Sequence, residues 1–494
     1  MQKQKVLKIF KNRKEALIFT FSFLISLVFF IWQKKFFSWD FSVYVMNAEY
    51  LFKGLYLEWL RAPLISWMMA PLLFFSRKIA IYAFTIITTI FYFLALKLFH
   101  DKFLSQYKNS EIFYLIAINP FILGFGLGMG TELLSLTLII LFLTFAFSYS
   151  SFIFLGLAML TRYSNITLLP TIIFSAKLKK ILIGLLIVLI TLIPWFIVNY
   201  NGTGHALTSL GDYYAINALE QAKPQLEIGK FILHLFTVLN VLIPFILLGN
   251  FSLIKKWKKL ENKEKILINL LITISILTAL TYLSNSLKDP RYLFNLAFPA
   301  AYFSFLGLSF ILEKINIKRN LIMKLIFIIF FTVLAISTFF IMESRGKGLD
   351  KESTLIKQVM LKIDNNCTVS SDLWVYFNWQ NRGAIPSPFA LYNQNESQIS
   401  LMAKEGYDII LFKPGEAYQK NLPFIQNLND SIKEDNENYI WIYNSSSCRQ
   451  TERINQTYID SLKHVGEFSQ DFTGCDALLL RLKLTKICRV FPFL

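Results

Sequence analysis

The chain has 494 residues, of which 55% are hydrophobic, 16% aromatic and 17% charged, with a mean hydropathy of +0.48. Soluble domains carry roughly 25% charged residues, so this composition excludes a soluble enzyme and points to a polytopic membrane protein. The formal net charge of +18 is not gathered on one segment. It sits in short clusters between apolar runs: KQKVLKIFKNRK at the start, KLKK at 177–180, KKWKKLENKEK at 255–265 and KINIKRN at 314–320. Such clusters mark cytoplasmic loops, and a nucleic-acid partner is set aside with them.

A crossing needs about 20 apolar residues. In chain order the sequence predicts crossings at 16–32, 80–99, 111–127, 131–148, 180–199, 229–250, 266–284, 292–312 and 325–342. The first follows a basic stretch without a small-residue cleavage site and reads as an uncleaved signal anchor. The segment 36–75, FFSWDFSVYVMNAEYLFKGLYLEWLRAPLISWMMAPLLFF, is too polar and too broken to cross; it carries Asp40, Glu49, Glu58 and Arg61 among aromatics. The stretch 151–176, SFIFLGLAMLTRYSNITLLPTIIFSA, is read as two half-helices meeting at Thr161–Asn165. One full crossing there would invert every later basic loop, whereas two halves keep the parity and bury Arg162 in the bundle. About eleven helical segments result, with the N-terminus cytoplasmic and residues 33–79, 200–228 and the tail extracytosolic.

The tail, 343–494, reads as a soluble α/β domain attached to a transmembrane domain of residues 1–342. CTVSS, YDIILF, YIWIY and ALLLRLKL are β-like runs, and TLIKQVMLKI and AYQKNLPFIQNL have helical spacing. All four cysteines, Cys367, Cys448, Cys475 and Cys488, lie there without a CxxC pair, so a zinc site is not expected. Disulfides and unpaired thiols both stay open. The four histidines are scattered with no metal-ligand spacing. No motif calls for a cofactor, and a divalent cation is the one left open.

Three constellations carry chemistry. Asp40 precedes a helical run in which Tyr44, Asn47 and Leu51 share its face; it reads equally as the N-cap of that helix. Glu132 heads an otherwise apolar run, GMGTELLSLTLIILFLTF, where the helix N-terminus would stabilise its charge. Arg291–Tyr292, in KDPRYLFNLAFPAAYF, lies where the positive-inside bias disfavours an arginine. It reads as a snorkelling side chain or as a phosphate ligand. Arg61 and Arg162 are further cations; Arg162 reads also as a structural partner of bundle carbonyls.

In this layout the chain resembles the polyprenyl-phosphate-sugar-dependent glycosyltransferases of the GT-C fold, the group that holds protein O-mannosyltransferases and lipid A aminoarabinose transferases. WDFSVYVMNAEYLFKGLY is similar to that group's first-loop signature, and LRAPLISW resembles the Pro-Leu segment after it. An acid opening the fourth crossing, a GLAMLTRY segment and a late RY…P turn follow in the group's order. Where the group often shows Asp-Glu, Asp40 is followed by Phe41, a departure from the protein O-mannosyltransferases proper; the oligosaccharyltransferase WWDYG signature is missing.

The resemblance implies a multi-pass cell-membrane enzyme that moves a sugar from a polyprenyl-phosphate-linked donor to a hydroxyl of a glycan, lipid or protein on the external face, with inversion. It makes Asp40 and Glu132 catalytic. Arg291, Tyr292, Arg61 and Arg162 become ligands of the donor phosphate, and Tyr44 and Glu49 ligands of the acceptor. Two rivals share the substrates: a lipid-linked sugar flippase or transporter, and a membrane polysaccharide polymerase. A flippase would place polar residues along a mid-bilayer path, and the crossings hold few; a polymerase usually lacks a large soluble tail. A third, an anchor for the tail, leaves the acids of the rim unexplained.

Overall fold

A computed structural model describes residues 13–33, 39–53, 61–107, 110–175, 178–214, 227–285 and 288–314. Beyond these it describes 328–329, 332–333, 335–340, 343, 356–361, 367, 369–371, 373–379, 384–386, 406–412, 430–433, 439–443 and 486. The helices in chain order are α1 (Arg13–Gln33), α2 (Trp39–Lys53), α3 (Leu64–Met69), α4 (Arg77–Phe103), α5 (Ile112–Ala117), α6 (Pro120–Met129) and α7 (Glu132–Thr144). There follow α8 (Ser150–Thr161), α9 (Leu178–Thr203), α10 (Thr208–Tyr214), α11 (Ile228–Leu239), α12 (Ile243–Lys256), α13 (Asn262–Ser284) and α14 (Ala297–Lys314). 3-10 segments run over Tyr163–Ser175 and Pro290–Leu296.

Among the described residues five helical stretches are long and apolar enough to cross a membrane: Arg77–Phe103, Leu178–Gly202, Ile228–Lys259, Asn262–Ser284 and Pro290–Leu312. They fall on the expected crossings at 80–99, 180–199, 229–250, 266–284 and 292–312. The crossing expected at 16–32 falls on α1. Of that at 325–342, residues 328–329, 332–333 and 335–340 are described, and all are helical.

Two expected crossings take another form. The run 111–127 is split, because α5 stops at Ala117 and α6 starts at Pro120. Proline has no N–H to continue a helix and disfavours helical backbone in the residue before it. Asn119 serves both ends of the break: its Oδ1 accepts from the Ile122 N–H at 2.9 Å and its Nδ2 donates to the Ile116 carbonyl at 2.7 Å. The run 131–148 ends early, at Thr144, and α7 is bent 118° from α6. Gly130 makes that turn at φ +86°, a conformation that costs glycine little. The stretch 151–176 has the anticipated break: α8 ends at Thr161 and the 3-10 segment begins at Tyr163, with Arg162 extended between them at φ −149° and ψ 122°.

The chain forms two compact units, neither continuous in sequence. The first comprises Met1–Lys35, Lys78–Pro194 and Pro224–Ser344. Its core is aromatic: Phe99 meets the Phe298 ring edge-on at 4.8 Å and stacks on Phe113 at 5.8 Å. Helices α12 and α14 approach at a pair of glycines. A Cβ on Gly249 would collide with the Phe303 carbonyl, and one on Gly307 with the Phe245 carbonyl. Without a hydrophobic force between helices in lipid, such close backbone approach is what dispersion needs. Leu182, Leu185, Leu186 and Leu189 of α9 are exposed, as side chains whose solvent is hydrocarbon should be.

The second unit comprises Phe36–Arg77, Trp195–Lys223 and Arg345–Leu494. It holds a five-stranded sheet of β1 (Val369–Ser371), β2 (Ala384–Pro386), β3 (Asp408–Phe412), β4 (Asp430–Lys433) and β5 (Tyr439–Tyr443), ordered β2-β1-β3-β5-β4. Strand β1 runs parallel to β2 and β3, with Val369 opposite both Ala384 and Asp408. Strand β5 is antiparallel to β3 and β4, pairing Ile410 with Ile442 and Ser431 with Trp441. The expected strands at CTVSS, YDIILF and YIWIY are β1, β3 and β5. β2 and β4 are additional, and ALLLRLKL and AYQKNLPFIQNL lie outside the described residues. A short helix, α15 (Trp374–Trp379), follows β1. The core of this unit gathers Val369, Trp374, Val375, Phe377, Ile410 and Ile442 with Val43 and Met46 of α2. The helix that opens with Trp39–Asp40 is thus one of the tail domain's own layers, because its apolar face has that sheet and α15 to bury against.

Candidate active site

In the second unit, Asp40 sits in the first turn of α2. Its Oδ1 accepts from the Arg61 guanidinium at 2.7 Å, the two side chains being 27% and 15% exposed. Trp39, beside it, packs edge-on against Trp374 and Tyr376. Tyr44 and Asn47 are buried further along the helix, and the Tyr44 carbonyl accepts from Ser66 Oγ of α3 at 3.0 Å. Glu49 is gripped by a residue the sequence did not single out. Arg77 donates to both its oxygens, at 2.5 and 2.7 Å, and to the Trp379 carbonyl at 2.8 Å, with the guanidinium 4.9 Å from the Trp379 ring centre. A bidentate pair of this kind is the strong form of an ion pair.

In the first unit, Glu132, Arg162, Arg291 and Tyr292 meet. Glu132 is 1% exposed at the start of α7. Its Oε2 accepts from the Thr131 N–H and hydroxyl at 3.2 and 2.8 Å, which leaves Oε1 toward Arg162 at 3.1 Å. The Arg162 guanidinium also donates to the Arg291 carbonyl at 3.4 Å. Both guanidiniums lie against the Tyr292 ring, Arg162 at 5.9 Å and Arg291 at 5.2 Å, and Arg291 donates to the Tyr292 hydroxyl at 3.4 Å. Asp289 caps the 3-10 segment by accepting from the Arg291 N–H at 2.9 Å. Just before it, Lys288 donates to the carbonyls of Tyr282, Leu283 and Asn285 at the end of α13. Burial lowers its pKa below the ordinary lysine value, Lys230 acting in the same sense and Glu227 against it. Two guanidiniums thus share one aromatic ring, and one of them, Arg162, is paired with the buried Glu132 carboxylate.

A third polar group, unforeseen from sequence, also belongs to the first unit. One ligand-capable atom from each of Glu15, His100 and Asp101 lies within 4.8 Å of the others. The Lys97 ammonium is 2.8 Å from both Asp101 oxygens and 3.5 Å from Glu15, so these acids already hold a cation of their own.

The sequence-predicted residues therefore fall into two sets, Asp40, Arg61, Tyr44 and Glu49 in one unit and Glu132, Arg162, Arg291 and Tyr292 in the other. Arg77 was missed because its partner stands 28 positions earlier in sequence.

No protein-family model matches the chain, and no curated protein matches it in sequence. Its fold does have counterparts. The crystal structure of ArnT from Cupriavidus metallidurans bound to undecaprenyl phosphate superposes with a TM-score of 0.56 at 9% identity, over 88% of this chain and 99% of that one. The apo structure of the same protein gives 0.53 over the same shares, again at 9% identity. Taken with its apolar helices, this makes the chain a polytopic helical membrane protein of the GT-C fold.

Proposed function

We propose that this protein is a membrane glycosyltransferase that moves a sugar from a polyprenyl-phosphate-linked donor to a hydroxyl acceptor on the extracytosolic face, with inversion at the anomeric carbon. The observation that carries the reading is the gathering of two guanidiniums around the Tyr292 ring, Arg291 directly and Arg162 held there by Glu132 and the Arg291 carbonyl, in a fold whose counterpart binds undecaprenyl phosphate. Asp40 takes the proton of the acceptor hydroxyl as its oxygen bonds to the anomeric carbon, a role worth typically 10²–10⁴-fold. Arg61 orients that carboxylate. The bond from the sugar to the phosphate oxygen breaks, and the departing polyprenyl phosphate carries its charge to Arg291 and Arg162. Glu132 holds Arg162 in place, and Tyr44 lies on the helix that receives the acceptor. The extracytosolic placement is supported by the basic clusters between crossings and by Cys367 being disulfide-bonded, a state favoured in oxidising compartments.

The test is direct. Purified protein in detergent, given a polyprenyl-phosphate-sugar and no nucleotide sugar, should release polyprenyl phosphate and glycosylate an added acceptor mixture. Transfer that requires a nucleotide sugar donor would overturn the reading.

A further inference from the structure

Beneath the charged residues of the first unit lies a second tier of neutral ones. It is contributed by the same three segments, one turn further along each. Ser135 follows Glu132 on α7, Asn165 follows Arg162 past the break after α8, and Asn295 follows Arg291 in the 3-10 segment. Asn165 and Ser135 are fully buried.

The Asn165 amide joins all three. Its Nδ2 donates to Ser135 Oγ at 2.8 Å and to the Ala158 carbonyl at 2.7 Å, while its Oδ1 accepts from Asn295 Nδ2 at 3.0 Å. The orientation of the amide is forced, since a backbone carbonyl can only accept. Both its donors and its acceptor are used.

The contacts fall on either side of Arg162. Ala158 is the residue whose carbonyl also receives the Arg162 N–H at 3.0 Å, and the Asn165 N–H in turn holds the Arg162 carbonyl at 3.0 Å. Arg162 is extended there and belongs to no helix, yet both its backbone groups are held. The Asn165 side chain adds a tie across this break. It ties the break to the start of α7, where Glu132 stands, and to the segment of Arg291.

We infer that Asn165 is a positioning residue: through Ser135 and Asn295 it sets the place of Arg162 against Glu132 and Arg291, and so tunes the grip on a polyprenyl phosphate group. This rests on the proposed function for the ligand, but not for the network.

Two measurements separate the parts. The first needs no ligand: thermal unfolding of the full chain in detergent for Asn295→Ala, Arg162→Lys and the pair. Groups in one hydrogen-bonded network couple, whereas independent sites add. The loss for the pair is expected to be clearly smaller than the sum of the single losses, and strict additivity would overturn the inference.

The second is binding of undecaprenyl phosphate to the same preparations. Asn295→Ala and Ser135→Ala, milder than Asn165→Leu and chosen to keep the fold, should each weaken binding roughly five- to tenfold. In an Arg162→Ala background they should weaken it no further. Equal further losses in that background would mean that the tier acts elsewhere, and the inference would fail. If the unsubstituted protein does not bind the lipid at all, the proposed function and the phosphate role fall together, and the unfolding measurement alone decides whether the network positions Arg162.

Discussion

Replacing Asp40 by Asn separates the two roles that its position offers. Asp40 is the second residue of α2 rather than its N-cap, so Asn gives up a charge at the helix N-terminus worth about 0.3–1 kcal/mol, while its Oδ1 can still accept from the Arg61 guanidinium. The substitution should therefore leave the thermal midpoint within a few degrees of the parent. It removes the proton acceptor, so turnover should fall by at least roughly 10²-fold, the lower end for a positioned base. Parental turnover at unchanged stability would return Asp40 to a purely structural part. The same scale shows what one-dimensional reading reaches. Glu132, Arg162 and Arg291 stand out because charge is scarce in apolar sequence. Ser135, Asn165 and Asn295 are neutral, common in this chain and joined only in space, so nothing along the sequence marks them. Arg77 is hidden for a related reason, as an arginine near a helix start with its carboxylate on another helix.

At the scale of elements, hydropathy located most long helices because length and apolarity are local properties. It did not show where a crossing would break, since Asn119–Pro120 and Gly130 barely alter a window average; the proline was nevertheless a readable stop. Short strands such as β2 and β4 carry too few residues for a period to register. Packing between helices makes its own prediction. A Cβ at Gly307 would meet backbone of α12, which cannot yield as a side-chain tip does. Gly307→Ala should cost about 3 kcal/mol, the upper part of the usual overpacking range, seen as a lowered midpoint in detergent. Gly229, with nothing near its would-be Cβ, is the control: Gly229→Ala should be neutral or slightly stabilising, by up to about 1 kcal/mol. Equal midpoints for the two variants would show that α12 and α14 do not approach as closely as described.

For the molecule as a whole, the orientation proposed from the basic clusters places the loop 200–228 and the tail on the same side. A small tag inserted in that loop and another after Leu494 should both react with an impermeant label on intact cells. Reaction of the tail tag only after lysis would reverse the sidedness and remove the proposed site from the extracytosolic face. The tail domain, read from sequence as a separate module, draws residues from the first loop into its core. That arrangement is invisible to composition, because α2 looks like any amphipathic helix until its partners are known.

The burial of Val43 and Met46 among Trp374, Ile410 and Ile442 also sets an order of events during synthesis. Roughly 270 residues separate Arg77 from Arg345, and ribosomes add about 5–20 residues each second. For some 15–50 s the nascent helix bearing Asp40 exists with its apolar face unmatched, while the intervening membrane helices are made. Arg61 and Ser66 are made early and hold Asp40 and the Tyr44 carbonyl, but the packing of Val43 and Met46 waits until the tail has been translated. The helix that bears the proposed base thus completes its packing late, against residues far downstream in the chain.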